Sequence, residues 1–331
     1  MTTISDVAEL AGVSIATVSA VINDSAPVRP ALRQRVLSAI DATKYQPHSV
    51  ARSLKTGISR TIGLVISDVT NPFFGAIART IESTLQAQGY ALMLCNSDED
   101  PEKEERYLRL LQSHRVSGIV IALAGSDPSY GRRIGEIIKA PAVLIDRTNP
   151  VLPLDSVTVD NAGGTLAAIT QLLAAGRRRI GIVLGPKGVS TSEERLAGYQ
   201  KALLAHDIAF EPRLVRHGYF RQDEGFAATR SLLAEERPDA IFAANNLMAI
   251  GALKAIAAAG LVCPRDVSIA CFDDFEWAAV CEPKITTVEQ PTEEIGRTAV
   301  SLLFERIRGT ASVKTPRRIV LPARLISRTG A

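Results

Sequence analysis

The sequence predicts an all-α head followed by a two-lobed α/β domain, and three observations predict it. The first stretch, roughly 45 residues, carries short helical patterns with cap residues at their ends. From Thr61 onward, short continuous apolar runs alternate with helical stretches, the mark of a parallel sheet covered on both faces. The alternation then starts again after residues 160–164 (Asp-Asn-Ala-Gly-Gly), so two similar lobes with a cleft between them are expected. With 331 residues, 46% hydrophobic and 22% charged, the chain has apolar material for more than one core.

The head divides into three helical patterns. Thr3 and Asp6 have the capping-box spacing, and Ile4, Val7, Ala8 and Ala11 then share one helical face. Gly12 stops that helix where a left-handed residue costs least. Ser14 is placed to cap a second helix that buries Val18, Val21 and Ile22 and turns Ile15, Ala16, Ser19, Ala20 and Asn23 outward. That outer face carries no charge, which suits a surface on which something docks. Two helices joined by a glycine turn form a helix-turn-helix unit, whose second helix lies in the DNA major groove. By spacing alone, the pair fits an ordinary helical hairpin of a globular core equally well. Pro30 opens a third helix whose Leu32, Val36, Ala39 and Ile40 close a small core, and Arg29, Arg33 and Arg35 on it are placed to meet phosphate.

Charge supports a nucleic-acid partner at this end. The net charge is +3, and residues 1–60 hold seven Lys/Arg against four Asp/Glu, while the remainder balances. A local basic excess is what phosphate contacts require. No apolar run reaches membrane-spanning length, and the N-terminus has neither a basic flank nor an apolar signal core, so a cytoplasmic protein is expected. Cys95, Cys263, Cys271 and Cys281 lack CxxC spacing and neighbouring histidines; neither metal nor cofactor is expected, and buried thiols are the simpler reading.

Residues 49–57 read as one short helix stopped by Gly57, too brief to fold without a partner. Beyond it, strands are expected at 62–66, 91–94, 118–122 and 142–145, with helices at 73–88, 102–114 and 130–139 between them. The second series has strands at 180–184, 240–243 and 268–272 and helices at 193–206, 224–235, 246–259 and 295–308.

The ordered run Thr3-Ile4-Ser5-Asp6-Val7-Ala8, Ala11-Gly12-Val13-Ser14, Ala16-Thr17-Val18-Ser19, Val21-Ile22-Asn23 resembles the N-terminus of the lac repressor (LacI/GalR) family of bacterial transcription regulators. Tyr45-Gln46-Pro47 and Val50-Ala51-Arg52-Ser53-Leu54 continue the likeness. Downstream, Asn71-Pro72-Phe73-Phe74, Asp160-Asn161, Arg195-Leu196-Ala197-Gly198-Tyr199, Ala249-Ile250-Gly251-Ala252 and Thr286-Thr287-Val288 extend it over nearly the whole chain. The resemblance implies a helix-turn-helix DNA-binding domain over residues 1–47, a hinge helix and linker over 48–60, and an effector-binding and dimerisation domain over 61–331. Lobe 1 would take about 61–160 and 291–320, and lobe 2 about 161–290 and 321–331. It implies a homodimer reading a pseudo-palindromic operator in double-stranded DNA through Ser14, Ile15, Ala16, Thr17, Ser19, Ala20 and Asn23. The hinge would enter the minor groove with Leu54 as a wedge and Arg52 and Lys55 beside it. Many family members carry a large polar residue where Ala20 stands, so direct base reading here would rest on apolar contacts such as those to thymine methyls.

The second domain resembles periplasmic sugar-binding proteins, which close two lobes around a ligand. The likeness implies a small-molecule effector, a sugar or sugar derivative, lined by Phe73, Phe74 and Asp146 from lobe 1 and Arg195, Phe220, Asn245 and Asp273 from lobe 2. Aromatic faces would cover the ring's C–H surface while charged and amide groups exchange hydrogen bonds with hydroxyls. Phe73, Phe74 and Phe220 fit plain core positions too, and Asp273 a structural strand-end carboxylate. Arg147 beside Asp146 suggests a second cation and hence an acidic sugar, or else a surface arginine. Asn246 stands where the family usually has aspartate.

No enzyme is expected. Asp273 and Asp274 are adjacent, so on a strand they point to opposite faces and make a poor acid/base pair. Residues 181–188 lack the ending of a phosphate loop, and the four histidines are scattered. The expected function is a ligand-controlled repressor; the alternative is a small-molecule binding protein without DNA activity. If the hinge carries more of the specificity than the uncharged reading face, Leu54→Ala weakens operator binding in a mobility-shift titration more than Ala20→Ser does. Equal small effects would sink that ranking.

Overall fold

The computed structural model describes residues 2–23, 26–45, 59–280, 282–311 and 315–328, without the Asn23 side chain. Arg52, Leu54 and Lys55 of the expected hinge, and Cys281, lie outside the described residues. The chain forms two compact units, residues 1–59 and 60–331.

The first unit contains α1 (Ile4–Ala11), α2 (Ile15–Asn23) and α3 (Pro30–Thr43). Its opening cap is reciprocal: Thr3 N donates to the Asp6 carboxylate at 2.7 Å and Asp6 N donates to Thr3 Oγ1 at 3.3 Å. The backbone donor of Thr3 holds the Asp6 carboxyl below its usual range. Gly12, at φ 60°, ends α1, and the two helices of the turn are bent by 104°. Arg35 Nη2 donates to Ala11 O at 2.6 Å, and a Cβ on Gly12 would stand 2.5 Å from that nitrogen. Position 12 therefore favours glycine for its conformation, while an added Cβ would only push aside the end of the Arg35 side chain. Arg35, placed by the sequence to meet phosphate, also satisfies a carbonyl left open at the end of α1. Val7, Ala8, Ala11, Val18, Val21, Val36 and Ala39 form the core.

The second unit is built on twelve strands among the described residues. Five come first: β1 (Thr61–Ile66), β2 (Ala91–Asn96), β3 (Gly118–Ile121), β4 (Ala142–Ile145) and β5 (Asp155–Val159). Then follow β6 (Ile180–Leu184), β7 (Val215–His217), β8 (Ala240–Ala243), β9 (Ser268–Phe272), β10 (Thr286–Glu289), β11 (Arg318–Leu321) and β12 (Arg324–Ile326). One sheet has the order β11-β5-β4-β3-β1-β2 and the other β12-β10-β9-β8-β6-β7. All pairings are parallel except β10 with β12. Both faces of each sheet are covered, so strand runs such as Ile62 to Ile66 are buried on both sides and read as continuous apolar sequence.

The covering helices are α4 (Pro72–Gln86), α5 (Pro101–Ser113), α6 (Pro128–Ile137), α7 (Asn161–Ala174), α8 (Ser190–Ala205), α9 (Gln222–Glu235), α10 (Asn246–Ala258) and α11 (Thr292–Arg308). Residues 160–164, which read as a break, are the cap and first turn of α7: Asp160 Oδ1 accepts from Gly163 N at 2.8 Å. Tertiary packing overrides the loop-like composition here. A Cβ on Gly198 of α8 would lie 2.3 Å from Ala162 O, so the two helices meet with nothing between them. The main chain passes between the sheets after β5, after β10 and between β11 and β12. Part-buried ion pairs fasten the late segments. Asp155 accepts from Arg306 Nη2 at 2.7 Å and Arg317 Nη2 at 3.0 Å, and Asp274 accepts from Arg328 Nη1 at 2.8 Å.

Glu104 on α5 is fully buried beneath the first sheet. It accepts from Ala124 N at 2.8 Å and from the Tyr130 hydroxyl. Burial pushes its carboxyl up to about 7, against the pull of those two donors and of Arg147. A carboxyl raised on folding stabilises the fold fully below its unfolded value, and the contribution is lost as pH rises through about 7. Denaturant unfolding should show the wild type losing stability relative to Glu104→Gln as pH rises from roughly 4.5 to 7, by on the order of 3 kcal/mol, with little further change above that. Parallel profiles would place the titration elsewhere.

Candidate effector cleft and DNA-reading helix

Each sheet reverses its strand order beside its first strand, and the loops after the strand carboxyl ends meet across a cleft. Asp68, Asn71, Phe73 and Phe74 follow β1, Glu99 follows β2, and Asp146 and Arg147 follow β4. From the other lobe come Thr191 and Arg195 after β6, Phe220 after β7, Asn245 after β8, Asp273 after β9 and Gln290 after β10. Together they line a narrow, partly open cleft. Asp98, Glu99, Asp146, Tyr219, Phe220 and Asp273 all have left-handed backbone, with φ from 50° to 69°. Such strain outside glycine gathers where side chains must be aimed into a site.

Asn71 joins the lobes. Its Oδ1 caps α4 by accepting from Phe73 N at 3.0 Å and also accepts from Asn246 Nδ2 of the opposite lobe at 3.1 Å. Its side chain further bonds to Asp273, whose carboxyl also accepts from the backbone of Asn246. Thus Asn246, in the position where the family usually has aspartate, still makes a contact between lobes. Asn245 mirrors Asn71, capping α10 through Met248 N at 2.9 Å while its Nδ2 donates to Phe220 O at 3.1 Å. Thr148 N donates to Ser190 Oγ at 3.1 Å and Arg221 Nη2 to Asp98 O at 2.6 Å, closing the rims.

Arg147 is 4% exposed, which removes the surface alternative. It donates from Nη1 to Glu99 at 2.6 Å, from Nη2 to Glu99 at 2.7 Å, and from Nη1 to Leu123 O at 2.9 Å, and lies 4.9 Å over the Phe220 ring. Burial opposes its charge, and Glu99 and Asp146 outweigh that, so the guanidinium is held firmly protonated. Arg195 lies 3.8 Å over the Phe272 ring, with Nε donating to Asn161 Oδ1 at 2.9 Å. Burial pushes the Asp146 carboxyl up to about 6, although Arg147 and Arg195 pull it down, and burial raises Asp273 as well. Arg147 Nε, Thr191 Oγ1 and Gln290 Oε1 line this space, buried and without a hydrogen-bond partner.

The structure brings Phe73, Phe74, Asp146, Arg195, Phe220, Asn245 and Asp273 around this one space. Asp274 does not join them; it is held by Arg328 and by Thr287 Oγ1 at 2.6 Å. Sequence reasoning missed Asp68, Asn71, Glu99, Thr191 and Gln290 and left Arg147 unresolved. Asn71 had a signal, an asparagine just before Pro72-Phe73 at a helix start. Glu99 and Gln290 had none, since only the left-handed turn at 98–99 and the crossing after β10 bring them in.

On α2, Ser14 Oγ accepts from Thr17 N at 3.2 Å and lies 2.9 Å from Thr17 Oγ1, so both positions serve the cap. Ile15 is 47% exposed and Ala16 is exposed, whereas Ser19 and Ala20 are half-buried, a narrower outer face than the helical periodicity implied.

A helix-turn-helix head joined to a two-lobed domain with a polar cleft defines a ligand-responsive DNA-binding regulator. The chain belongs to the lacI family of bacterial regulatory proteins: residues 3–48 match that family, and residues 169–329 match the periplasmic binding protein-like domain. The HTH-type transcriptional repressor PurR of Aliivibrio fischeri is 36% identical over 313 residues, covering 93% of this chain and 92% of its own. Among solved structures, the lac repressor dimer bound to operator and the anti-inducer ONPF superposes with a TM-score of 0.87 at 30% identity, over 99% of this chain and 98% of its own. The transcriptional regulator CelR–cellobiose complex does so at 0.73 and 34%, over the whole of both chains. The protein is a transcription regulator and not an enzyme.

The Glu99–Arg147 pair yields a prediction about the cleft wall. Removing one partner leaves a buried charge without compensation. Glu99→Gln should lower unfolding stability by about 3 kcal/mol in denaturant titrations. A loss under about 0.5 kcal/mol would mean that water or Asp146 takes over the pairing.

Proposed function

We propose that this chain is a homodimeric repressor whose affinity for a pseudo-palindromic operator is set by a neutral sugar or related polyol held between its lobes. The observation that carries the ligand class is the charge arrangement of the cleft. Asp68, Glu99, Asp146 and Asp273 stand against only two guanidiniums. Arg147 is held in a two-pronged bond by Glu99 with its Nε 3.4 Å from Asp146, and Arg195 is anchored by Asn161, so the positive charge of the wall is already matched by its carboxylates. This arrangement disfavours the acidic sugar that Arg147 suggested. Phe73, Phe74 and Phe220 offer faces for ring C–H groups, while Thr191 and Gln290 offer unpartnered polar atoms to hydroxyls. The relative CelR, solved with cellobiose, supports a carbohydrate.

Phe73, Phe74 and Asp146 contact the effector from the first lobe, and Arg195, Phe220, Asn245 and Asp273 from the second. Ser14, Ile15, Ala16, Thr17, Ser19, Ala20 and Asn23 face the major groove, and Arg52, Leu54 and Lys55 the minor groove. The effector changes the balance of contacts that Asn71 makes with Asn246 and Asp273. By linkage, effector and operator then alter each other's affinity by the same factor. The regulator acts in the cytoplasm, on the nucleoid.

Calorimetric titration of the full chain against neutral sugars and the matching sugar acids tests the ligand class, and a mobility-shift assay with each hit tests the coupling. Neutral sugars should bind at least tenfold more tightly than their acids, and Asp273→Asn should weaken them. Preferential binding of the acids, or hits that leave operator affinity unchanged, would refute the proposal.

A further inference from the structure

A buried acid stands behind the cleft wall, one peptide group away from it. Glu104 on α5 is 0% exposed within one protomer, so it offers nothing to a partner subunit. The titratable and charged groups that face it are Tyr130 on α6, Arg147 after β4 and Glu99 after β2, all in the first lobe. One of its oxygens accepts from Ala124 N at 2.8 Å and the other from the Tyr130 hydroxyl. The Leu123–Ala124 peptide that it grips by the N–H is held from the other side by the cleft, where Leu123 O accepts from Arg147 Nη1 at 2.9 Å. A peptide that donates at nitrogen and accepts at oxygen is polarised by both partners, so a charge placed at one end strengthens the bond at the other. The loop that carries this peptide is itself fixed. A Cβ on Gly125 would stand 2.7 Å from the Tyr130 ring, and Asn149 Nδ2 donates to Ser126 O at 3.0 Å and to Asp127 O at 3.1 Å.

On the cleft side, Arg147 keeps one donor in reserve. Its Nη1 and Nη2 go to Glu99 and Leu123, whereas Nε makes no hydrogen bond and lies 3.4 Å from Asp146 Oδ2. We propose that Glu104 is a positioning residue of the effector cleft: through the Leu123–Ala124 peptide it holds Arg147 so that Nε faces a ligand hydroxyl, and it does so best when ionised. This rests on the neutral-sugar reading given above, in which hydroxyls take up the unpartnered polar atoms of the wall. Ionisation strengthens the pull on Ala124 N–H, makes Leu123 O a better acceptor and adds a negative charge that favours the guanidinium. Protonation removes that charge and turns the carboxyl into a donor, so the Tyr130 hydroxyl accepts from it. Burial brings this change of charge to about pH 7. By linkage, an effector that prefers the ionised form binds more tightly as pH rises through that value and releases a proton when it binds below it. Effector affinity is thereby tied to pH by a residue that never touches the effector.

Calorimetry on the full chain, with glucose, galactose and ribose as neutral probes and gluconate, galactonate and ribonate as acid probes, measures this dependence. The neutral sugar that binds should do so about tenfold more tightly at about pH 8 than at about pH 5.5, tenfold being the effect of a one-unit shift in the Glu104 titration. Glu104→Gln should lose the rise near pH 7 and keep only a step near pH 6 from Asp146. Tyr130→Phe removes a donor to the carboxylate and should move the midpoint of the rise upward by about one pH unit, which a loss of packing alone does not do. The unliganded protein gives an independent readout. The nitrogen NMR shift of Arg147 Nε–H, identified by its loss in Arg147→Lys, should titrate near pH 7 in the wild type and not in Glu104→Gln. Neutral-sugar affinity that is flat near pH 7, or that rises equally in Glu104→Gln, overturns the linkage and leaves the neutral-sugar reading standing. Preference for the acids, or binding of no probe, removes the neutral-sugar reading; the Arg147 signal then decides alone, and a missing step near pH 7 overturns the positioning role as well.

Discussion

The contact on which the effector domain depends is that of Asn71 with Asn246 and Asp273. A cleft between two lobes exposes polar strand ends and helix starts, and the closed form is stable only if those groups find partners across it. One asparagine caps the helix of its own lobe and accepts from an amide of the other. It therefore ties the geometry of the strand end to the separation of the lobes. Arg147 and Phe220 add a second bridge, in which a guanidinium fixed by Glu99 rests on a ring presented by a strained backbone. Any change in the separation of the lobes would have to alter both bridges together.

The fold was legible because each series of strands is buried on both faces and so reads as plain apolar runs, while the head carries its cap residues in sequence. Thr3, Asp6, Gly12 and Ser14 announce the first two helices through local chemistry alone. The helix at Asn161–Ala174 was not legible, because its first turn, Asn-Ala-Gly-Gly, is loop-like and is made helical by contact with Gly198. Strands β5 and β10 escaped because polar residues interrupt their buried runs, and the short edge strands β7, β11 and β12 because three or four residues with half-exposed side chains acquire strand geometry from their neighbours.

Around the cleft, legibility followed the same division. Phe73, Asp146 and Asp273 stand at the ends of recognisable strands or helices, where position can be counted from the apolar runs. Glu99, Thr191 and Gln290 reach the cleft through turns and crossings that no periodicity encodes. Their absence from the sequence reading matters chemically: without Glu99, Arg147 looks like an anion hook, and with it the same arginine is a neutralised wall.

The three passages of chain between the sheets also govern when the domain can form. The first sheet acquires its edge strand β11 and its covering helix α11 from residues 292–321, and the second sheet closes with β12 at 324–326. During synthesis neither lobe is complete until almost all of the chain has left the ribosome, whereas the contacts of the head are complete within its first 45 or so residues. The part that meets DNA thus rests on local contacts of the early chain, whereas both lobes need segments from residues 292–326 to complete their sheets.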